Sequence, residues 1–362
     1  MLTSDERRRY QRHLSLPDFG EAAQERLKVR RVLVIGAGGL GCPALLYLAA
    51  AGVGRIVIVD PDRVDTSNLQ RQILYQESDV GRLKVDAAAE RLRALNHHIH
   101  IETVSERFCR DNALRLVREV DVVVDGSDNF ATRYLVNDAC VMADRPFVYG
   151  AISGFSGQLA VFNWKGGPTY RCLFPVPSPA ELAPNCAEAG VLGVLPGIIG
   201  TWQATEAIKI LSGVGEPVSG KLLLWNALTM QVQTVALAVD PKSHAIVELP
   251  PDIEFACGSV VEIDADELRK SLRATPVQLV DVREHWERAI AAIEPSLHVP
   301  LGELDDGAAE DALQPLARDA PTVVYCAHGV RSLRGAELLR TQYGFRQVKS
   351  LRGGMHAWHD GD

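Results

Sequence analysis

The chain has 362 residues, 47% hydrophobic and 23% charged, a globular composition with room for two or three domains. A formal net charge of −8 offers a phosphate backbone no general basic face, so no direct nucleic-acid role is expected. Seven scattered cysteines, a charged amino terminus and the lack of an apolar run long enough to span a bilayer predict a cytoplasmic protein with free thiols and no membrane role.

In chain order, residues 31–36 (RVLVIG) form a β-branched run stopping at glycine, the pattern of a buried parallel strand. A helical stretch over 40–51 and a second run at 55–60 (RIVIVD) complete a βαβ unit. Residues 84–95 have helical periodicity, and 99–104 and 121–125 (DVVVD) read as strands with a helix between them. This alternation predicts an α/β fold, a doubly wound, mostly parallel Rossmann-like sheet with helices on both faces. After Gly150 the pattern changes. Residues 158–164 alternate as a half-exposed antiparallel strand would, 173–184 read as a Pro-rich loop, 197–211 as a helix, and 221–238 as strands around Trp225. Prolines without clear periodicity over 240–258 signal a linker, placed at 246–262 between a first domain, 1–245, and a smaller α/β domain, 263–362. In the latter, 277–282 and 322–326 read as strands and 285–291 and 332–343 as helices.

Gly36-Ala37-Gly38-Gly39-Leu40-Gly41 matches GxGxxG between a strand and a helix, where phosphate oxygens reach backbone N–H groups at the positive helix end. Asp60, closing the next strand, can accept hydrogen bonds from ribose hydroxyls. An NAD-dependent dehydrogenase shares these features, and so does a non-catalytic nucleotide-binding scaffold. The residues that follow favour a triphosphate: Arg71 and Lys84 offer cations, and Asp128, after a strand, is placed to hold Mg²⁺.

Arg9-Tyr10-Gln11-Arg12, GAGGLGC at 36–42, SNLQRQ at 67–72, GRLK at 81–84 and GSDN at 126–129 follow one another in a recognisable order. On these motifs the first domain resembles the MoeB/ThiF adenylyltransferases, relatives of ubiquitin-activating enzymes. The resemblance implies ATP on Gly36, Gly38, Gly39, Gly41, Asp60, Asp62, Asn68, Arg71, Lys84, Asp128 and Asn129, with Mg²⁺ on Asp128. It also implies a homodimer in which Arg12 reaches a phosphate in the partner subunit's site. Cys186 stands where the family carries a crossover-loop cysteine implicated in handling the activated partner, and the resemblance favours that role over the small buried hydrophobe that a free cysteine usually is. Many relatives hold structural zinc with two CxxC pairs. Here Thr169, Ser243 and Ile246 replace three of the four cysteines and only Cys172 remains, so no zinc is expected.

In the second domain, Cys326-Ala327-His328-Gly329-Val330-Arg331-Ser332 lies between a strand and a helix, whose first N–H groups stabilise a thiolate or a terminal persulfide sulfur, with Arg331 adding positive charge. With Asp281-Val282-Arg283-Glu284 and the late Leu351-Arg352-Gly353-Gly354, the segment resembles rhodaneses. Phosphatases related to this fold place five residues between Cys and Arg; the four here suit sulfur. Asp281 and Arg283 are expected to brace the domain. Together the two resemblances imply adenylation of a small ubiquitin-like sulfur carrier ending in Gly-Gly, then sulfur transfer from Cys326 with Cys186 resolving the intermediate. Arg12, Arg71, Lys84 and Mg²⁺ would stabilise the charge, and a cysteine desulfurase or thiosulfate would supply the sulfur.

Overall fold

A computed structural model describes residues 1–175, 191–249, 261–274, 276–327 and 329–359. The chain divides into two compact units, Met1–Asp252 and Ile253–Asp362.

The first unit is built on an eight-stranded sheet. Its strands are β1 (Arg31–Ile35), β2 (Arg55–Val59), β3 (His100–Val104), β4 (Val122–Asp125), β5 (Phe147–Ser153), β6 (Ser156–Phe162), β7 (Lys221–Asn226) and β8 (Gln231–Ala236), in the order β3-β2-β1-β4-β5-β6-β7-β8. The pairs from β3 to β5 are parallel, and those from β5 to β8 are antiparallel. Alternate residues of β1 enter opposite cores, Val32 and Val34 on one face and Leu33 and Ile35 on the other. Burial on both faces is why this segment is one apolar run rather than an alternation. The helix Gly41–Ala51 packs on one face with Leu45 and Leu48, and the helix Phe130–Ala143 packs on the other with Tyr134 and Val136.

β1 and β4 are neighbours, yet the chain leaves them in opposite directions across the sheet. This is a topological switch point, where a crevice opens beyond the carboxyl ends of the strands.

Two expectations change. The strand read as half-exposed over 158–164 is β6, inside the sheet between β5 and β7, with Leu159, Ala160, Val161 and Phe162 all buried. Its polar Gln158 misleads because Tyr149 Oη donates to its Oε1 at 3.0 Å. The helix read from 197 begins three residues earlier, as Val194–Ser212. Pro196 sits in its first turn, where no backbone N–H is needed.

The second unit has five parallel strands, β9 (Val261–Ile263), β10 (Gln278–Asp281), β11 (Leu297–His298), β12 (Thr322–Tyr325) and β13 (Val348–Leu351), in the order β11-β10-β12-β13-β9. The helix Val330–Thr341 follows β12. Among the described residues no helix is long and apolar enough to cross a membrane.

Candidate functional site

At the switch point the chain after β1 turns through Gly36, whose φ of +87° favours glycine. A Cβ on Gly36 would lie 2.8 Å from Gly126 O, and one on Gly41 would lie 1.9 Å from Gly36 O. The glycine loop therefore presses against both the start of its own helix and the turn after β4. Tyr75 Oη donates to Ala37 O at 2.8 Å, and Cys42 Sγ approaches the same oxygen at 3.3 Å. Burial pushes the Cys42 thiol up to about 12, which leaves it a neutral prop.

Asp60, 6% exposed at the end of β2, accepts the N–H of Ala37 on Oδ2 at 2.7 Å and that of Asp62 on Oδ1 at 2.8 Å. Burial raises its pKa, against the pull of Lys84 and these N–H donors. Its carboxylate thus shapes the loop and still has lone pairs for hydroxyls. Lys84, buried at the start of the helix Lys84–Leu95, bonds the exposed Asp62 at 2.8 Å. Asn68 ends the 3₁₀ turn Thr66–Asn68, and Arg71 Nη1 donates to Ser67 O at 3.0 Å. Arg71 Cδ comes within 3.8 Å, and Gln72 Nε2 within 3.7 Å, of where Cβ atoms on Gly39 and Gly38 would stand. The SNLQRQ turn thus leans over the glycine loop. Gln72 was absent from the expected set, although its motif contained it; it is buried, and its Oε1 has no hydrogen-bond partner among the described residues.

Across the crevice, Asp128 is exposed in the turn after β4. Asn129 caps the next helix, its Oδ1 accepting the N–H of Thr132 at 2.9 Å. Among the described residues no three His, Cys, Asp or Glu side chains gather to hold a metal. Magnesium beside a triphosphate asks for less: one or two carboxylates, with phosphates and waters completing its shell. The exposed carboxylate of Asp128 fits that role. Arg12 lies apart, exposed on the short helix Gln11–Leu14.

In the second unit, Cys326 directly follows β12 and is 1% exposed. Its Sγ accepts the N–H of Gly329 at 3.1 Å and lies 3.5 Å from Ser332 Oγ. Ser332 is itself fixed by Gly329 O at 2.9 Å and Ser350 Oγ at 2.9 Å. The late glycine pair closes the cradle from below. A Cβ on Gly354 would stand 2.2 Å from Cys326 O, and Met355 N–H donates to that oxygen at 2.8 Å. Arg331, expected to add positive charge, is engaged by Glu287 through two bonds of 2.7 and 2.6 Å, so the pair brings little net charge. Burial works to raise the Glu287 carboxyl, yet Arg331 and the Glu284 backbone bond outweigh it and hold it below the usual range. Asp281 and Arg283 form a buried doubly bonded pair, at 2.9 and 2.7 Å, under the Tyr325 ring. His328, within the loop, and Cys186 lie outside the described residues.

The model of the ThiF family matches residues 10–245, and that of the rhodanese-like domain matches residues 264–360. The chain belongs to the ThiF family. Over 99% of its length it is 43% identical to the probable adenylyltransferase/sulfurtransferase MoeZ of Mycobacterium tuberculosis, spanning 94% of that protein. It is 39% identical to adenylyltransferase and sulfurtransferase MOCS3-1 of Zea mays, spanning 82% of that protein. The fold resembles that of Escherichia coli MccB, solved with MccA-N7isoASN, at a TM-score of 0.59 and 21% identity over 66% of this chain and 74% of the other. It also resembles PaaA, at 0.57 and 24% over 65% and 75%.

Where relatives in the ThiF family carry zinc, the donors of this chain do not fit the ion: one thiol, two hydroxyls and the alkyl chain of Ile246. Three of these positions gather all the same. Cys172 Sγ accepts the N–H groups of Thr169 and Asp240, each at 3.3 Å, and lies 3.0 Å from Ser243 Oγ and 3.6 Å from Thr169 Oγ1. Burial opposes ionisation of this thiol, but the donors around it outweigh burial and lower its pKa. A hydrogen-bonded sulfur clips residues 240–243 to 169–172.

Proposed function

We propose that this chain is an adenylyltransferase and sulfurtransferase that converts the C-terminal glycine of a small ubiquitin-like carrier protein to a thiocarboxylate. One observation carries the reading. A single chain has a nucleotide crevice, where Arg71 leans over the Gly36–Gly41 loop, and downstream a thiol whose Sγ takes the N–H of Gly329 at a helix start. Relatives similar over nearly the whole chain have names that pair the same two activities.

Residues 1–245 bind ATP and the Gly-Gly tail, residues 246–262 link, and residues 263–362 carry sulfur. The backbone N–H groups of the Gly36, Gly38, Gly39 and Gly41 loop receive phosphate oxygens, Asp60 and Asn68 orient the ribose side, and Asp62 and Asn129 flank the crevice. The carrier carboxylate attacks the α-phosphate, forming an acyl adenylate and releasing pyrophosphate. Arg71, Lys84 and Arg12, the last acting in the partner subunit's site of a homodimer, offset the charge that develops. Magnesium held by Asp128 supplies charge neutralisation on the phosphates when bound.

The terminal sulfur of a Cys326 persulfide, loaded from a cysteine desulfurase or thiosulfate, attacks the acyl carbon and displaces AMP. The product is an acyl disulfide, carrier–CO–S–S–Cys326. The Cys186 thiolate attacks the Cys326 sulfur, the S–S bond breaks, and the carrier leaves as a thiocarboxylate. A dithiol reductant then reduces the Cys186–Cys326 disulfide. These steps belong in the reducing cytoplasm. They need no zinc.

The test is carrier-dependent ATP–pyrophosphate exchange, followed by the intact mass of the carrier. A gain of about 16 Da, sulfur for oxygen, supports the reading; exchange without that gain limits it to adenylation. Tight NAD binding without exchange would restore the dehydrogenase alternative, and no nucleotide turnover with any carrier would restore the scaffold.

A further inference from the structure

The turn that carries Asp128 is gripped from beneath by two buried ionic groups. Asp125, the last residue of β4, is 0% exposed, and Arg133, one turn into the helix Phe130–Ala143, is 4% exposed. Taking either charge out of water is unfavourable, and an apolar pair would fill the same space without that penalty. What the charges hold accounts for their presence. Asp125 Oδ1 accepts the N–H of Ser127 at 3.0 Å, and Arg133 Nη2 donates to Ser127 O at 3.4 Å.

One residue is therefore held by both of its backbone groups, by an anion on one side and a cation on the other. The guanidinium is seated between rings, 5.1 Å from the centre of Phe130 and 5.5 Å from that of Tyr149. Burial raises the pKa of Asp125, and the charge of Arg133 offsets part of that push. On the far side of Asp128, Asn129 is fixed as the helix cap. Asp128 is the exposed residue between two anchored neighbours, and Gly126, just before them, lies against the Gly36 loop.

We propose that Asp125 and Arg133 are positioning residues that aim the Asp128 carboxylate at the metal-bound triphosphate. This rests on the adenylation reading, in which Asp128 holds magnesium. Neither residue touches nucleotide. They act through the Ser127 backbone, as groups behind a metal ligand do elsewhere. Arg133→Lys keeps the charge and loses the fork; Asp125→Asn keeps the shape and loses the charge.

The experiment is equilibrium binding of a non-hydrolysable ATP analogue by the full chain, first in EDTA and then across a magnesium titration, with Tm measured alongside. Each variant is expected to bind the analogue in EDTA within about 2-fold of the parent chain while its half-saturating magnesium rises about 10–100-fold. A folded variant with unchanged half-saturating magnesium overturns the proposal. So does weakening that is equal with and without the metal, because that is a merely structural loss. If Arg133→Lys unfolds, the isosteric Asp125→Asn carries the test. Asp128→Ala separates the two claims: magnesium dependence that survives it removes the assigned metal role, whereas dependence lost in Asp128→Ala but intact in both variants removes only the positioning role.

Discussion

The two units put one local device to different ends. Each ends a buried parallel strand in a glycine-bearing turn that feeds a helix, β1 into Gly41–Ala51 and β12 into Val330–Thr341. Around the first turn the charged side chains come from several elements, with Asp60 after β2, Arg71 after a 3₁₀ turn, Lys84 on a helix and Asp128 after β4. Around the second, among the described residues, Cys326 Sγ meets the N–H of Gly329 and Ser332 Oγ, with Ser350 behind that serine, and Arg331 is paired with Glu287. A large, highly charged ligand needs many contacts, each replaceable in part. A single transferred atom needs one nucleophile, and no neighbour can substitute for it.

Substitutions can break that contrast. Cys326→Ala is expected to give the largest effect, a loss of about 10³-fold or more in thiosulfate sulfurtransferase activity with ATP–pyrophosphate exchange nearly unchanged. Paired assays on the same preparation check it, and a substantial residual sulfurtransferase rate would mean that another thiol carries the sulfur. Next in size, Asp128→Ala and Arg71→Ala should each lower carrier-dependent exchange by about 10²–10³-fold and leave sulfurtransferase activity intact. If either abolished exchange as completely as Cys326→Ala abolishes sulfur transfer, the nucleotide crevice would not be the distributed site described here.

A smaller effect sharpens the comparison inside the first unit. Cys172→Ala removes the acceptor of two N–H groups and is expected to cost about 1–3 kcal/mol, read as a lower Tm, while EDTA leaves the Tm of the parent chain unchanged. A fall in Tm on chelation would show that a metal, not the sulfur clip, holds this corner. The smallest effect is pH-dependent. Glu287 has a folded pKa below its unfolded value, so its contribution is fully present above the unfolded value, about 4.3. That contribution is lost as pH falls through the lower, folded pKa. The Tm difference between the parent chain and Glu287→Gln should therefore be greatest near neutrality and shrink in acid; a difference that grows in acid would contradict the ion pair.

The parallel half of the large sheet was legible because strands buried on both faces must be apolar throughout, as Val32 to Ile35 are. β6 was harder to read, since Gln158 inside it is satisfied by a tyrosine hydroxyl contributed by another strand. The first turn of Val194–Ser212 was hidden by Pro196 and Gly197, tolerated there only because a helix start asks little of its N–H groups. At the site, order and spacing brought out Gly36, Asp60, Arg71, Lys84 and Asp128, whose side chains or missing Cβ atoms are themselves the signal. Gln72 and Ser127 were quoted only as members of motifs, with no role of their own, and Arg133 passed unremarked. They work through backbone partners and burial, which a linear pattern does not encode. Arg331 was noticed but misjudged, because Glu287, its counter-ion, is distant in sequence.

The near-complete enclosure of Cys326 has a consequence for the life of its cargo. A persulfide in open solution is consumed by peroxide and stray thiols at rates set by their concentrations. On a sulfur as buried as this one, loss would be limited instead by how often its surroundings open, an event of local stability rather than of collision. On the proposed reaction, sulfur carried by Cys326 would be reached only when its surroundings open, and its lifetime between loading and delivery would follow that opening rate.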